Sequence, residues 1–156
     1  MAFVDNSAWQ SDRIGAAERG ENPMFVARMA SGLVFLHDAQ FLPGWCVLFA
    51  VPQVGKLEDL DDQRARAFLG DMTKLGRAVN QVCRPRRVNY AVYGNTAPML
   101  HAHVVPRYDW EPPERITQPI WTYPVGKWRD MPLDYDPAPH AKLRDTLRAA
   151  LQEVRP

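Results

Sequence analysis

The spacing of apolar residues changes period several times along the chain, and each change predicts an element. From Gly32, "GLVFLH" is rich in β formers, "DAQFLPG" supplies turn residues and "WCVLFAV" is a second β-rich run; together they predict a hairpin. After Pro52 the period lengthens, with Ala65, Phe68, Leu69, Met72, Leu75, Val79 and Val82 recurring at helical spacing. Asp59, Asp61 and Asp62 crowd the start of that stretch and Arg77, Arg84, Arg86 and Arg87 its end, the polarity a helix dipole favours, and Pro85 predicts the stop. "VNYAVYG" and "LHAHVVPRY" read as two more strands around the loop "NTAPM". Residues 107–137 are rich in proline and tryptophan, with "PIWTY" as one short strand candidate. "APHAKLRDTLRAALQEV" then places Leu143, Leu147, Leu151 and Val154 on one stripe, which predicts a terminal amphipathic helix.

Residues 1–28 are polar and mixed, with "ERGENP" marking a loop, and read as an N-terminal extension. Strands grouped around one long helix, without strict βαβ alternation, predict a single α+β domain over 1–156 with a mainly antiparallel sheet. The tail from 109 to 156 is its Pro/Trp-rich appendage and last helix.

Bulk properties remove whole classes of partner. At 156 residues the chain has the length of one ordinary domain. A composition of 46% hydrophobic and 24% charged residues with a formal net charge of +1 gives no field that favours nucleic acid. The opening "MAFVDNSAWQSDR" carries no secretory signal and the longest apolar run, "WCVLFAV", is too short to span a bilayer, so a cytoplasmic protein without membrane association is expected. Cys46 and Cys83 lie in no CxxC or Cys/His cluster, and are expected as buried small hydrophobes.

Two histidines carry the chemistry. In a strand, Leu100, Ala102 and Val104 share one face, the natural core face, while Met99, His101, His103, Val105 and Arg107 share the other. His101 and His103 then stand about 7 Å apart along the strand beside a guanidinium, with a Gly-Asn-Thr loop just upstream. Three readings fit that pattern. The pair can be packing or surface histidines; it can chelate a metal, although no third ligand lies at a persuasive spacing; or one neutral imidazole can attack phosphorus while its neighbours neutralise phosphate charge.

"LHAHVVPR" resembles the active-site strand of the histidine triad (HIT) proteins, whose motif is His-φ-His-φ-His-φ-φ with φ apolar. "FLHDAQFLPGWCVLF" is similar to that family's opening hairpin, the long helix precedes the histidine strand as it does there, and the likeness runs in order over about residues 22–110. It is nearest to bacterial members described as diadenosine tetraphosphate hydrolases. The resemblance implies a HIT-like fold, a mainly antiparallel sheet of about five strands with one long helix and a C-terminal helix. It also implies a homodimer without a protein-bound cofactor, with Mg²⁺ accompanying any polyphosphate substrate.

Aligned on the motif, the nucleophile falls on His101 and the third histidine on His103, while the first position is Met99, which can neither donate a hydrogen bond nor hold a proton. The implied activity is a nucleotide hydrolase or nucleotidyl transferase acting at the α-phosphate through a nucleotidyl-histidine intermediate. In it, the second ring nitrogen of His101 is held by a backbone carbonyl and His103 lines the phosphate site. Asn95 and Thr96 donate to phosphate oxygens, Arg107 is a charge partner, and Asp38 falls near the family's ribose-binding acid. Each has a plainer alternative: an Asx turn for Asp38, a turn dipeptide at Gly94-Asn95, loop closure by Thr96 and a solvated Arg107. His37 can support a base pocket or the sheet, His140 is structural or exposed, and Trp110, Trp121 and Trp128 form a base-stacking wall, an interface patch or an anchor for the tail. Two other functional classes stay open, a nucleotide-binding module with little turnover, and a HIT scaffold recruited to other chemistry.

Overall fold

The computed structural model describes residues 8–129 and 136–153. Five antiparallel strands form one sheet: β1 (Phe25–Met29), β2 (Gly32–Leu36), β3 (Cys46–Ala50), β4 (Arg87–Ala91) and β5 (His101–Arg107), in the order β1-β2-β3-β5-β4. The hairpin expected from "GLVFLH" and "WCVLFAV" is the β2–β3 pair, in register from Gly32↔Ala50 to Leu36↔Cys46. Two short helices, α1 (Ala8–Ser11) and α2 (Arg13–Glu18), precede the sheet. A 22-residue α3 (Asp62–Cys83) joins β3 to β4, and α4 (Ala141–Glu153) follows the tail.

The long helix begins and ends for the reasons its sequence supplies. Asp61 caps it, its carboxylate accepting from the Arg64 backbone N–H at 2.8 Å, and Arg84 closes it in the left-handed region at φ 49° just before Pro85. Phe68, Met72, Leu75 and Val79 face the sheet, where they meet Val34, Leu48, Ala102 and Val104 in the main core. Leu69 does not join them: it is 46% exposed, because at its place in the turn it points away from the sheet. Gly76 lets the helix settle onto β4, since a Cβ there would lie 1.8 Å from the Tyr90 hydroxyl. Leu147 of α4 is fully buried in the same core and Leu143 and Leu151 flank it, while Val154, the last member of the expected stripe, lies outside the described residues.

Two sequence expectations are corrected. The segment before residue 28 is not all extension: Phe25–Met29 is the edge strand β1, with a bulge between Phe25 and Ala27. Carbonyls of this strand and of the turn before it accept from α4: Arg148 Nε donates to Val26 O at 2.7 Å, Arg148 Nη2 to Phe25 O at 2.9 Å and Arg144 Nη1 to Pro23 O at 2.7 Å. That edge is thereby blunted against further pairing. "PIWTY" is a turn rather than a strand: both the backbone N–H and the hydroxyl of Thr122 fold back onto Pro119 O, making a single 3₁₀ turn over Ile120–Thr122.

The helices α3 and α4 cover one face of the sheet, and the other face is covered at its two ends by different segments. At one end Ala17 packs on Leu33 and Phe35, with Ile14 alongside. At the other, Ile120 and Tyr123 from the tail join Leu42, Trp45, Val105 and Tyr108. The strip of sheet left between the two covers contains the histidines. Among the described residues no helix is long and apolar enough to cross a membrane.

Candidate functional site

Strand alternation places the histidines as expected: Ala102 and Val104 point into the main core, while His101 and His103 point the other way. Their ring centroids are 5.1 Å apart. Opposite them on β3, Phe49 pairs with His101 and Val47 with His103, and the Phe49 ring stacks on His101 at 5.3 Å and 26°. Trp121 stands edge-on to His103 at 5.0 Å, and touches Tyr93 and Trp128 in turn.

The hydrogen bonds fix a tautomer for each of three imidazoles. His101 Nδ1 lies 2.7 Å from the Met99 carbonyl oxygen; a carbonyl only accepts, so Nδ1 carries the proton and Nε2 of a neutral ring carries the lone pair. His103 Nδ1 accepts from the Trp45 indole N–H at 3.2 Å, and His37 Nδ1 accepts from the Ala39 backbone N–H at 3.0 Å. Both of these rings therefore carry their proton on Nε2 when neutral. Burial pushes His103 down to about 3, helped by His37 and His101, so the ring is neutral at neutral pH. His37 is also pushed down to about 3, first by burial and then by the nearby Arg13 guanidinium; its ring stacks flat on Trp45, centroids 3.6 Å apart.

Two cavities share His37, His101 and His103 as their common wall. The larger, about 470 Å³, is bounded by the loop 94–97, which carries Asn95 and Thr96, and by Tyr93, Trp121 and Trp128. It falls in the size range of ordinary ligand sites. The smaller, about 210 Å³, is bounded by Phe35, Val47, Phe49, Asp38 and Arg13. The structure thus brings Asp38, Asn95, Thr96, His101 and His103 to one locality. Asp38 makes no Asx turn: its two oxygens accept from Arg13 Nη1 at 2.8 Å and Nη2 at 2.5 Å. Of the tryptophans, Trp121 and Trp128 line the larger cavity, whereas Trp110 stacks on Tyr108 and is 61% exposed. Among the described residues no three His, Cys, Asp or Glu side chains gather as a metal site.

Arg107 corrects its expected role. Nε donates to both oxygens of Glu111 at 3.1 Å, Nη1 to Asn89 Oδ1 and Gln118 O, and Nη2 to Glu111 Oε1 and Arg115 O. A guanidinium has five N–H donors, and all five are occupied. Arg107 is 4% exposed and lines neither histidine cavity. Glu111, wholly buried, also accepts from the Tyr108 backbone N–H at 2.7 Å and the Tyr123 hydroxyl at 2.8 Å. This clamp holds the tail on the sheet and so sets where Trp121 stands. Sequence reasoning missed Glu111, Arg13 and Trp45; for Trp45 the turn-flanked run "PGWCVLF" was the signal and for Glu111 its place four residues after Arg107, while Arg13 depends on folding remote segments together.

The architecture is that of the HIT-like fold. A histidine triad protein from Marinobacter aquaeolei superposes with a TM-score of 0.66 at 19% identity over 84% of this chain and 90% of that one. One from Bradyrhizobium japonicum gives 0.61 at 20% identity over 81% and 89%. A hypothetical histidine triad nucleotide-binding protein from Sulfolobus tokodaii gives 0.64 at 11% identity over 89% and 90%. No protein-family model and no curated sequence matches the chain.

Proposed function

We propose that the protein is a nucleotide hydrolase or nucleotidyl transferase that forms a covalent nucleotidyl intermediate on His101. The observation that carries this reading is the bond from His101 Nδ1 to Met99 O, which leaves the Nε2 lone pair beside two cavities and supports the positive ring that forms on attack. His101 Nε2 attacks the α-phosphorus and the bond from phosphorus to the leaving group breaks. The leaving group departs with the electron pair and is protonated by solvent. Water then attacks the same phosphorus, the N–P bond returns its electrons to His101, and the water's proton passes to solvent as the nucleoside monophosphate is released. With Nδ1 engaged by Trp45, His103 offers its Nε2–H to the phosphoryl oxygens. Asn95 and Thr96 supply further donors from the loop, and Asp38, with acceptor sites beyond those Arg13 uses, takes a sugar hydroxyl. The substrates are dinucleoside polyphosphates, nucleoside phosphoramidates or similar activated nucleotides. A homodimer belongs to this reading; β4 is a sheet edge, and Tyr90 on it and Val92 and Tyr93 just beyond its end are exposed.

The test is product analysis by mass spectrometry on a panel of phosphoramidates, dinucleoside polyphosphates and nucleotide sugars. The wild type releases a nucleoside monophosphate, and His101→Ala loses about three orders of magnitude or more in kcat while nucleotide affinity changes modestly. Full turnover by His101→Ala removes the nucleophile assignment, and silence of the wild type across the panel removes the enzyme.

A further inference from the structure

Phosphoryl chemistry needs positive charge beside the phosphate oxygens, and the arginine on the histidine strand has every donor committed elsewhere. Among the described residues, the cationic side chains lining the two cavities that His101 and His103 share are Arg13 and Arg129. They are held very differently. Arg129 is exposed at the rim of the larger cavity. Arg13 is gripped by Asp38 through two parallel N–H···O bonds, its guanidinium lies 5.0 Å over the Trp9 ring, and its side chain keeps 32% exposure. A fork fixed on two sides loses little freedom when an anion arrives. Asp38 takes two of its five N–H groups, so three remain for a ligand.

We propose that Arg13, carried on α2 outside the sheet, is the phosphate-binding cation of this site, with Asp38 as the residue that positions it. The inference rests on the nucleotidyl-transfer reading and adds to it a group contributed by the N-terminal segment. It also assigns a use to the small cavity, in which Arg13 and the two histidines form adjoining walls. Arg13 already acts electrostatically on this locality, opposing the protonation of His37. Phe35, Leu36, Val47 and Phe49 supply the apolar part of that wall, beside His37 and the Arg13–Asp38 pair, so a charge contact there is screened less than in open solvent.

The test titrates inorganic phosphate, AMP and adenosine into the full chain, following histidine-ring and arginine side-chain signals by NMR. Arg13→Gln should weaken inorganic phosphate by about tenfold or more and Arg13→Lys by about threefold, because the charge survives but the fork is lost. Arg129→Gln should leave phosphate within about twofold, and adenosine affinity should survive Arg13→Gln, which also checks the fold. Removing Arg13 unmasks the Asp38 carboxylate, so the double variant Arg13→Gln/Asp38→Asn decides the cause. The double variant should stay weak; if it binds phosphate like the wild type, Arg13 merely screens Asp38 and the proposal falls. It falls equally if Arg13→Gln binds phosphate normally, if the loss follows Arg129→Gln instead, or if the wild type binds no phosphate at tens of millimolar. The nucleotide reading fails separately, when AMP binds no tighter than phosphate alone.

Discussion

The indole N–H of Trp45 donates to Nδ1 of His103 across 3.2 Å, and a residue from the hairpin thereby decides which nitrogen of a β5 histidine faces the cavity. The indole has no acceptor to offer, so the direction of this bond cannot reverse. Trp45→Phe should keep most of the packing and lose the tautomer. Long-range ¹⁵N–¹H correlation should show His103 passing from one tautomer to a mixture, with kcat/KM for an activated nucleotide down by about tenfold. An unchanged His103 spectrum in the variant would mean that something other than Trp45 sets the proton.

The lowered pKa values of His37 and His103 carry a stability consequence with a definite sign. Both are about 3 in the folded chain against about 6.5 unfolded, so between those pH values the unfolded chain binds more protons and stability rises with pH. The contribution is complete above about pH 6.5 and is lost as pH falls toward 3. Urea midpoints measured at pH 7, 5.5 and 4.5 should drop less steeply for His103→Gln than for the wild type. Parallel slopes would contradict the burial of this ring in its neutral form.

Glu111→Ala should be among the most destabilising single changes in the tail. It leaves the Arg107 guanidinium buried without its carboxylate and takes an acceptor from Tyr123, a loss on the order of 3–5 kcal/mol. Replacing both charges by apolar residues, as in Arg107→Met/Glu111→Leu, should cost less than Glu111→Ala alone. Chemical denaturation reads both, and a double variant less stable than the single would show that the pair is worth more than its desolvation.

Met99→Ala should matter little to turnover. The group that holds His101 is the Met99 backbone carbonyl, which any residue supplies, and the half-buried side chain makes no hydrogen bond. An effect within about 0.5 kcal/mol, roughly twofold in kcat/KM, is expected. A loss of a hundredfold would assign the thioether a direct role.

The elements that local pattern controls were legible: the β2–β3 hairpin from its turn residues, α3 from its period and its Asp61 and Pro85 punctuation, and the His101/His103 pair from strand alternation. What escaped depends on contacts that only the folded chain makes. "FVARM" has too few alternations to stand out, and becomes β1 because Leu33 and Val34 pair with it and α4 arginines satisfy its carbonyls. Arg107 lies on the predicted face, yet burial under residues 111–123 turns it from an offered cation into a saturated one. The converse holds for Arg13, which nothing local distinguishes until α2 folds against Asp38.

The saturation of Arg107 also says what kind of wall stands over the histidines. One guanidinium ties Asn89 of β4 to residues 111, 115 and 118 at once, so the segment leading to Trp121 cannot peel away link by link; releasing one tie leaves the buried charge to the others. The aromatic rim is therefore a fixed jamb rather than a hinged door. On the nucleotidyl-transfer reading proposed above, a substrate would have to fit that opening as it stands.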